Sequence, residues 1–311
     1  MQPSFLHRLT LRQIEIFLAV CRLQSYSRAA EDLALTQPAV SAQIRQVEQV
    51  VNDTLFDYVG KQLLITPAGK LLERAARDLQ QRLVSLEMEL AELKGEVRGT
   101  LSIAAETSAQ YFLPSVIAPF LQQNPAIDVQ LAFGNRAQVL KRLADNRNEL
   151  VITGSPPNDR TYQFAPVRDN PLLAVAAPAH PLTGRQPLSF LELMQQTLLL
   201  REPGSGTRLA IEDYAATRAV KLSRTLQLGS LEAIKSGVMQ QLGVSILPSD
   251  ACQREIAHGE LVALTVEGFP LRRSWCALNH RRRQLTPVSA RFLDHLLQHG
   301  IGPTTATNQT R

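Results

Sequence analysis

Leucine recurs every seven residues along one stretch of this chain, and few arrangements tolerate that. Leu72, Leu79, Leu86 and Leu93 stand seven apart, and Ala76, Leu83 and Leu90 repeat at the same interval, offset by four. On a helix this is an a/d register over about three heptads, a seam that supercoils with a partner helix. Thr66-Pro67 supplies a cap and a first-turn proline, so the pattern predicts one long helix from residue 67 to 93. Alone, such a helix leaves a leucine stripe in water. The stripe therefore predicts pairing with a second copy through Leu72, Leu79, Leu83, Leu86 and Leu90, the alternative being packing on its own domain. Lys94-Gly95 and Arg98-Gly99 mark a polar boundary after it.

Residues 5–60, ahead of that helix, read as short helices. Leu11, Ile14, Phe17, Leu18 and Cys21 recur at helical spacing. A second helix follows Ser25 or Ser27 through RAAEDLA. A third is QPAVSAQIRQVEQVV, with Thr36 or Gln37 near its cap and Pro38 in its first turn. Ala29, Ala30 and Leu33 face inward, as do Val40, Ile44 and Val47, and LFDYVGKQLLIT alternates around Gly60 as a β-hairpin does. Helix, tight turn, helix and hairpin make a winged helix-turn-helix. The second helix of such a head enters the major groove by its N-terminal end. There the sequence offers Thr36, Gln37, Ser41 and Gln43, and a Gln amide can bond adenine in a bidentate manner. Arg28, Arg45 and Lys61 are candidate phosphate contacts. Spacing alone also admits a structural helical hairpin with solvated polar residues.

Charge does not carry the nucleic-acid reading. The 311 residues have a formal charge of +5, but residues 1–99 hold 12 Lys+Arg against 12 Asp+Glu, and the excess lies in residues 100–311, with 21 against 16. That length predicts two domains or three. The first twenty residues, broken by Arg8, Arg12 and Glu15, have no uninterrupted apolar run of a signal peptide, and no stretch reaches the ~18 apolar residues of a membrane span. Three distant cysteines, Cys21, Cys252 and Cys276, form no disulfide framework and no CxxC pair, which fits a reducing cytoplasm.

From residue 100 the pattern becomes alternating strand and helix. Strands are predicted at 101–105, 128–134, 149–154, 172–178, 198–201, 225–229, 244–248, 261–266 and 275–280. Helices are predicted near 111–123, 136–146, 205–217, 230–241 and 287–299. Such alternation implies parallel sheets covered by helices, and ~200 residues of it suits two α/β lobes with a cleft between them. The segment REPGSGTR (201–208) follows a strand and opens a helix, so Gly204, Ser205, Gly206 and Thr207 would present N–H groups and hydroxyls to an anion. Arg201 and Arg208 would add charge-assisted bonds. An ordinary well-capped turn is the competing reading. The segment is neither a Walker loop nor a dinucleotide fingerprint.

Other constellations are weak. His295 and His299 share a helix face, but no third ligand is evident, so surface or capping roles are expected and no metal is predicted. Arg281-Arg282-Arg283 reads as a solvated charge run. No nucleophile motif is present, so no catalytic residue and no cofactor are predicted.

In order over about 40 residues, the head matches a family pattern. Ala29-Ala30, Leu33, Thr36-Gln37-Pro38-Ala39, Ser41, Ile44, Val47-Glu48, Leu55-Phe56 and Ile65-Thr66-Pro67-Ala68-Gly69 resemble the DNA-binding head of the LysR-type transcriptional regulators. Asn52 stands where the family usually has Gly, Tyr58 where it usually has Arg, and Lys61 replaces a second common Arg. The resemblance implies an α/β protein with an all-α winged head at 1–66, a linker and dimerisation helix at 67–94, and an effector-binding domain at 95–311. That domain is a two-lobed fold like a periplasmic binding protein. One lobe takes about 100–170 and 275–300, the other about 171–274, with crossings near 168–172 and 270–275. It also implies that the turn at Glu106, Thr107 and Ser108 and the strand end at Thr153-Gly154 face REPGSGTR. Glu106, awkward beside an anion, is expected to point away. Within the family, LTLRQIEIFLAV, GNRAQVLKRLADN, REPGSGTR, EAIKSGVMQQLGVSIL and VEGFPLRRSWCALNHRRRQLTP resemble the CbbR type, regulators of carbon-fixation operons. The implied partners are double-stranded promoter DNA, a small anionic effector and further copies in a homodimer or homotetramer. RNA polymerase is a further candidate, and no membrane is implied. A cytoplasmic two-lobed receptor or α/β enzyme with an N-terminal oligomerisation module is the reading from another class.

Overall fold

The computed structural model describes residues 8–185 and 187–299; the polar tail from residue 300 and His7 with the residues before it lie outside them. The chain divides into two units, Met1–Glu87 with Asp145–Arg147, and Met88–Ala144 with Asn148–Arg311.

In the first unit, helices α1 (Leu11–Leu23), α2 (Tyr26–Asp32) and α3 (Gln37–Val51) precede a hairpin of β1 (Phe56–Val59) and β2 (Gln62–Ile65). Each helix begins where a side-chain oxygen can take an otherwise orphaned N–H. Thr10 and Gln13 form a reciprocal capping box on α1, Ser25 rather than Ser27 caps α2, and Thr36 caps α3 with Pro38 in its first turn. Ala29 and Ala30, at 0% and 3% exposure, let the helices cross closely over Phe17, Val20, Val40, Ile44 and Leu55. Asn52 ends α3 in the left-handed conformation at φ 58°, which Asn tolerates better than most residues.

Helix α4 (Pro67–Glu92) is long, as the heptads require. Its apolar seam divides. Leu72 and Ala76 pack on the winged core, so for the first heptad the stripe does cover its own domain. Beyond it Leu79, Leu83, Leu86 and Leu90 are 40%, 39%, 44% and 51% exposed.

The second unit contains two five-stranded sheets. The first lobe is built from β3 (Gly99–Glu106), α5 (Leu113–Gln123), β4 (Ile127–Gly134), α6 (Arg136–Ala144), β5 (Leu150–Thr153) and β6 (Tyr162–Asp169). The second follows with β7 (Leu172–Ala176), α7 (Phe190–Met194), β8 (Leu198–Leu200), α8 (Gly206–Thr217), β9 (Thr225–Gln227), α9 (Leu231–Met239), β10 (Val244–Pro248), α10 (Ser249–Ala257) and β11 (Val262–Leu264). The chain then returns to the first lobe with β12 (Ser274–His280) and α11 (Pro287–His299). The sheet orders are β4-β3-β5-β12-β6 and β11-β7-β10-β8-β9.

The expected all-parallel sheets are corrected to mixed ones. Strand β12 runs antiparallel to β5 and β6, and β7 antiparallel to β10 and β11. The strands entering from the other lobe, β7 and β12, arrive without a covering crossover helix, so they run against their neighbours. Strand β6 and helices α7 and α10 were not predicted. β6 is an edge strand with half of its residues exposed and Pro166 within it, so it has no alternating apolar pattern.

The crossings are stitched together. Asn170 N–H donates to the Arg273 carbonyl at 2.7 Å, and Leu172 and Leu271 exchange two 3.0 Å bonds. Trp275 and Phe112 anchor the first-lobe core, with rings 5.4 Å apart. His295 is buried rather than on the surface, with Nε2 3.1 Å from the Val116 carbonyl and its ring stacked on His299 at 4.3 Å. Among the described residues no group of three or more His, Cys, Asp or Glu is placed to hold a metal, and no helix is long and apolar enough to cross a membrane.

Candidate DNA-reading head and effector cleft

The start of α3 carries the DNA candidates. Thr36, Gln37 and Pro38 are exposed there, while Ser41 and Gln43 are half-buried one turn further on. Thr36 is occupied in part by its cap, accepting from Ala39 N–H at 3.4 Å. The Arg45 guanidinium donates to Ser41 Oγ at 3.2 Å, so these two present one joint donor surface. Arg28 turns back to donate to the Leu23 carbonyl, which positions its charge beside the end of α1. Lys61 stands exposed in the hairpin turn, and Tyr58 on the same hairpin is 66% exposed.

Several motif residues are explained by how the hairpin is held. Glu48 Oε1 accepts from Leu55 N–H at 2.9 Å. Thr66 Oγ1 donates to the Thr54 carbonyl at 2.7 Å and accepts from Gly69 N–H at 3.0 Å. A β-carbon at Gly69 would stand 2.3 Å from the Leu55 carbonyl oxygen, so only glycine fits.

The second group of candidates meets between the two lobes of the second unit. Thr107 Oγ1 donates to the Gly134 carbonyl at 3.1 Å and serves the first lobe internally. Thr153 Oγ1 and Gly154 N–H (2.9 Å) both donate to Glu106 Oε1. Glu106 thus does not point away, contrary to expectation. It is 4% exposed, and its Oε2 lies 2.5 Å from where a β-carbon would stand on Gly206, the first residue of α8. Strand ends of one lobe and the helix start of the other are thereby brought together. Gly204, at φ +89°, accepts from Ala137 N–H at 3.1 Å across the same gap. Ser108, Ser205 and Thr207 are 4%, 4% and 3% exposed, and none of their hydroxyls has a hydrogen-bond partner among the described residues. Their oxygens are not among the fully buried ones, so water or another polar group can reach them.

The expected cations are engaged elsewhere. Arg201 forms a bidentate pair with Glu202 at 2.8 and 2.9 Å, and Glu202 also accepts from Asn135 at 3.3 Å. Arg208 is held by Glu212 at 2.7 Å and Gln227 at 3.0 Å. The available positive charge comes from residues that sequence reasoning missed. Arg136 donates to the Ser155 carbonyl at 2.7 Å. Arg273 reaches from the second crossing to the Gly154 carbonyl at 3.3 Å and Ser155 Oγ at 3.1 Å. Neither arginine forms an ion pair among the described residues. The Nη1 of Arg273 is buried with no partner among the described residues. Burial pushes the Arg273 guanidinium below its ordinary range, and the nearby Glu106 charge opposes that shift. The only signal in the sequence was Arg272-Arg273 beside a lobe crossing.

Two family models cover most of the chain: the bacterial regulatory helix-turn-helix protein of the lysR family matches residues 11–70, and the LysR substrate binding domain matches residues 94–300. The chain belongs to the LysR family. The LysR head accounts for the capped α3 and its hairpin, and the substrate-binding model for the two lobes. Curated LysR relatives align over nearly the whole length. The RuBisCO operon transcriptional regulator of Acidithiobacillus ferrooxidans is 39% identical over 287 residues, 92% of this chain and 93% of the relative. The HTH-type transcriptional activator CmpR of a Synechocystis strain is 37% identical over 290 residues, 93% of this chain and 95% of the relative. Among solved structures, the regulatory domain of Synechocystis CcmR in complex with 2-PG is 35% identical. It superposes with a TM-score of 0.62 over 65% of this chain and 97% of that domain. The protein is thus a LysR-type transcriptional regulator.

Proposed function

We propose that this LysR-type regulator is of the CbbR/CmpR type, that it acts in the cytoplasm as a regulator and not an enzyme, and that a small anionic metabolite resets its promoter complex. The observation that carries the effector reading is the buried, unpartnered Nη1 of Arg273, whose guanidinium lies against Gly154 where Glu106 meets the start of α8, with the unpartnered hydroxyls of Ser108, Ser205 and Thr207 on the segments that meet there. A phosphate or carboxylate there would complete a charge-assisted bond. The 2-PG complex of CcmR and the names of the RuBisCO operon relatives support an anionic effector and a metabolic operon.

On the DNA side, Gln37 and Ser41 read base edges, while Arg28, Arg45 and Lys61 hold phosphates. The exposed seam of Leu79, Leu83, Leu86 and Leu90 pairs two chains, so that two heads meet half-sites ~10 bp apart or a multiple of that. Effector binding shifts the balance between two assemblies, which needs only different affinities for the two. RNA polymerase is the further partner of the activated complex.

The test is calorimetric titration of the full chain with 2-phosphoglycolate and other phosphorylated acids, repeated with Arg273→Gln and Ser205→Leu. Saturable binding by the natural chain, weakened at least tenfold in both variants, is expected. Equal binding by all three proteins would contradict the cleft assignment.

A further inference from the structure

An orphaned donor and an orphaned acceptor stand in the same cleft. The donor is Arg273 Nη1. The acceptor is Glu106 Oε2: the carboxylate's two donors, Thr153 and Gly154, both bond to Oε1, and Oε2 has no donor among the described residues. Glu106 is more than nine-tenths buried. The two groups feel each other's charge, yet they form no ion pair. Arg273 instead lies against Gly154, where a β-carbon would stand 2.4 Å from its Nη2. Neither charge is therefore neutralised by the other: Nη1 is buried without a partner among the described residues, and a guest reaches it only by displacing the groups that cover it, whereas Oε2 is open.

A bare anion placed at the start of α8 would meet Glu106. The helix N-terminus favours negative charge, but that position already faces the protein's own carboxylate. A guest that is anionic throughout gains at Arg273 and is repelled at Glu106. A guest carrying a hydroxyl beside its anionic group avoids the conflict, because the hydroxyl can donate to Oε2 while the anion takes Nη1. The Ser108, Ser205 and Thr207 hydroxyls, each able to donate or accept, suit further oxygens of the same guest.

We propose that Glu106 is a specificity-determining residue of the cleft, and that it selects a hydroxylated anion, such as a phosphorylated hydroxy acid, over an anion that lacks a hydroxyl donor. This rests on the cleft being the effector site. The hydroxyl bonds Glu106, the phosphate or carboxylate bonds Arg273, and neither contact alone suffices for tight binding. The preference belongs to the site itself and does not depend on how the DNA complex responds.

Two probes isolate it: 2-phosphoglycolate, which has no hydroxyl, and 3-phosphoglycerate, which has one. Calorimetry on the full natural chain should show 3-phosphoglycerate binding at least tenfold more tightly. In Glu106→Gln the amide oxygen can still accept from Thr153 and Gly154 while the charge is gone. There 2-phosphoglycolate should gain at least tenfold and the preference should disappear. Glu106→Ala, which also removes the side-chain contact with α8, should show the same gain for 2-phosphoglycolate. An unchanged preference in both variants, or a natural chain that prefers 2-phosphoglycolate, overturns the role of Glu106 and leaves the cleft reading standing. Binding of neither probe to any of the three proteins overturns the cleft reading and this inference with it.

Discussion

Gly69 shows how much a single atom can matter in this chain. It lets α4 start directly against the Leu55 carbonyl, which a β-carbon would approach to 2.3 Å. Gly69→Ala should therefore cost the winged head about 2 kcal/mol or more, because backbone has to shift rather than a side chain. Thermal melting of the variant should show a lower first transition with the second unit's transition unchanged. His180 and His295 give a pH dependence. Both are buried, and burial holds each below the ordinary imidazole value of 6.5. The unfolded chain takes up those protons more readily, so the folded state loses stability as pH falls through about 6.5. Melting temperatures measured from pH 7.5 to 5.5 should decline, and less steeply in His295→Gln. At the DNA surface, Gln37→Ala should relax preference at one base pair, by about 1–3 kcal/mol of discrimination. A uniform loss across all sequences would make Gln37 a positioning contact instead.

Helix α4 is the element on which the proposed assembly depends. Its first heptad packs on the winged core, whereas Leu83 and Leu86 remain 39% and 44% exposed. Leu83→Glu with Leu86→Glu should leave each chain folded, because neither side chain belongs to a buried core, and should convert the protein to monomers in light scattering. Persistence of the dimer would place the seam elsewhere. The elements differ in how far the sequence discloses them, for physical reasons. Helix α3 was legible to within one residue of its cap, Thr36 or Gln37, since Pro38 has one favourable place at a helix start. The heptad pattern marked α4 but could not say which leucines its own domain would cover. Strand β6 was hidden by its exposure and by Pro166, and the antiparallel returns of β7 and β12 are decided by which lobe the chain enters from. Around the cleft, REPGSGTR was legible as a strand-to-helix turn and the resemblance set Thr153-Gly154 opposite it, but that Thr153 and Gly154 donate to Glu106 was not. Arg273 was not, because it meets Gly154 from 119 positions along the chain.

At the scale of the whole molecule, the two crossings are where an effector bound in the proposed cleft would couple to the balance of the lobes. The Asn170–Arg273 and Leu172–Leu271 bonds fasten the crossing strands to each other. Arg273 lies on one of those crossings, and its Nη1 is buried without a partner among the described residues. A ligand anion on Arg273 would act where the lobes join, which is where a change in their balance has the most leverage. A ligand can shift that balance only by its difference in affinity for the two states. The same metabolite should therefore bind more tightly when the matching DNA site is present, by the factor it changes DNA affinity. The most direct test is a nuclease footprint of the full chain on the DNA upstream of its own gene, at two salt concentrations, with and without 3-phosphoglycerate. A salt-sensitive, sequence-specific footprint is expected, whose length or internal pattern the metabolite changes in the natural chain and not in Arg273→Gln. No specific footprint at either salt, or one that the metabolite leaves untouched in both proteins, would contradict the account.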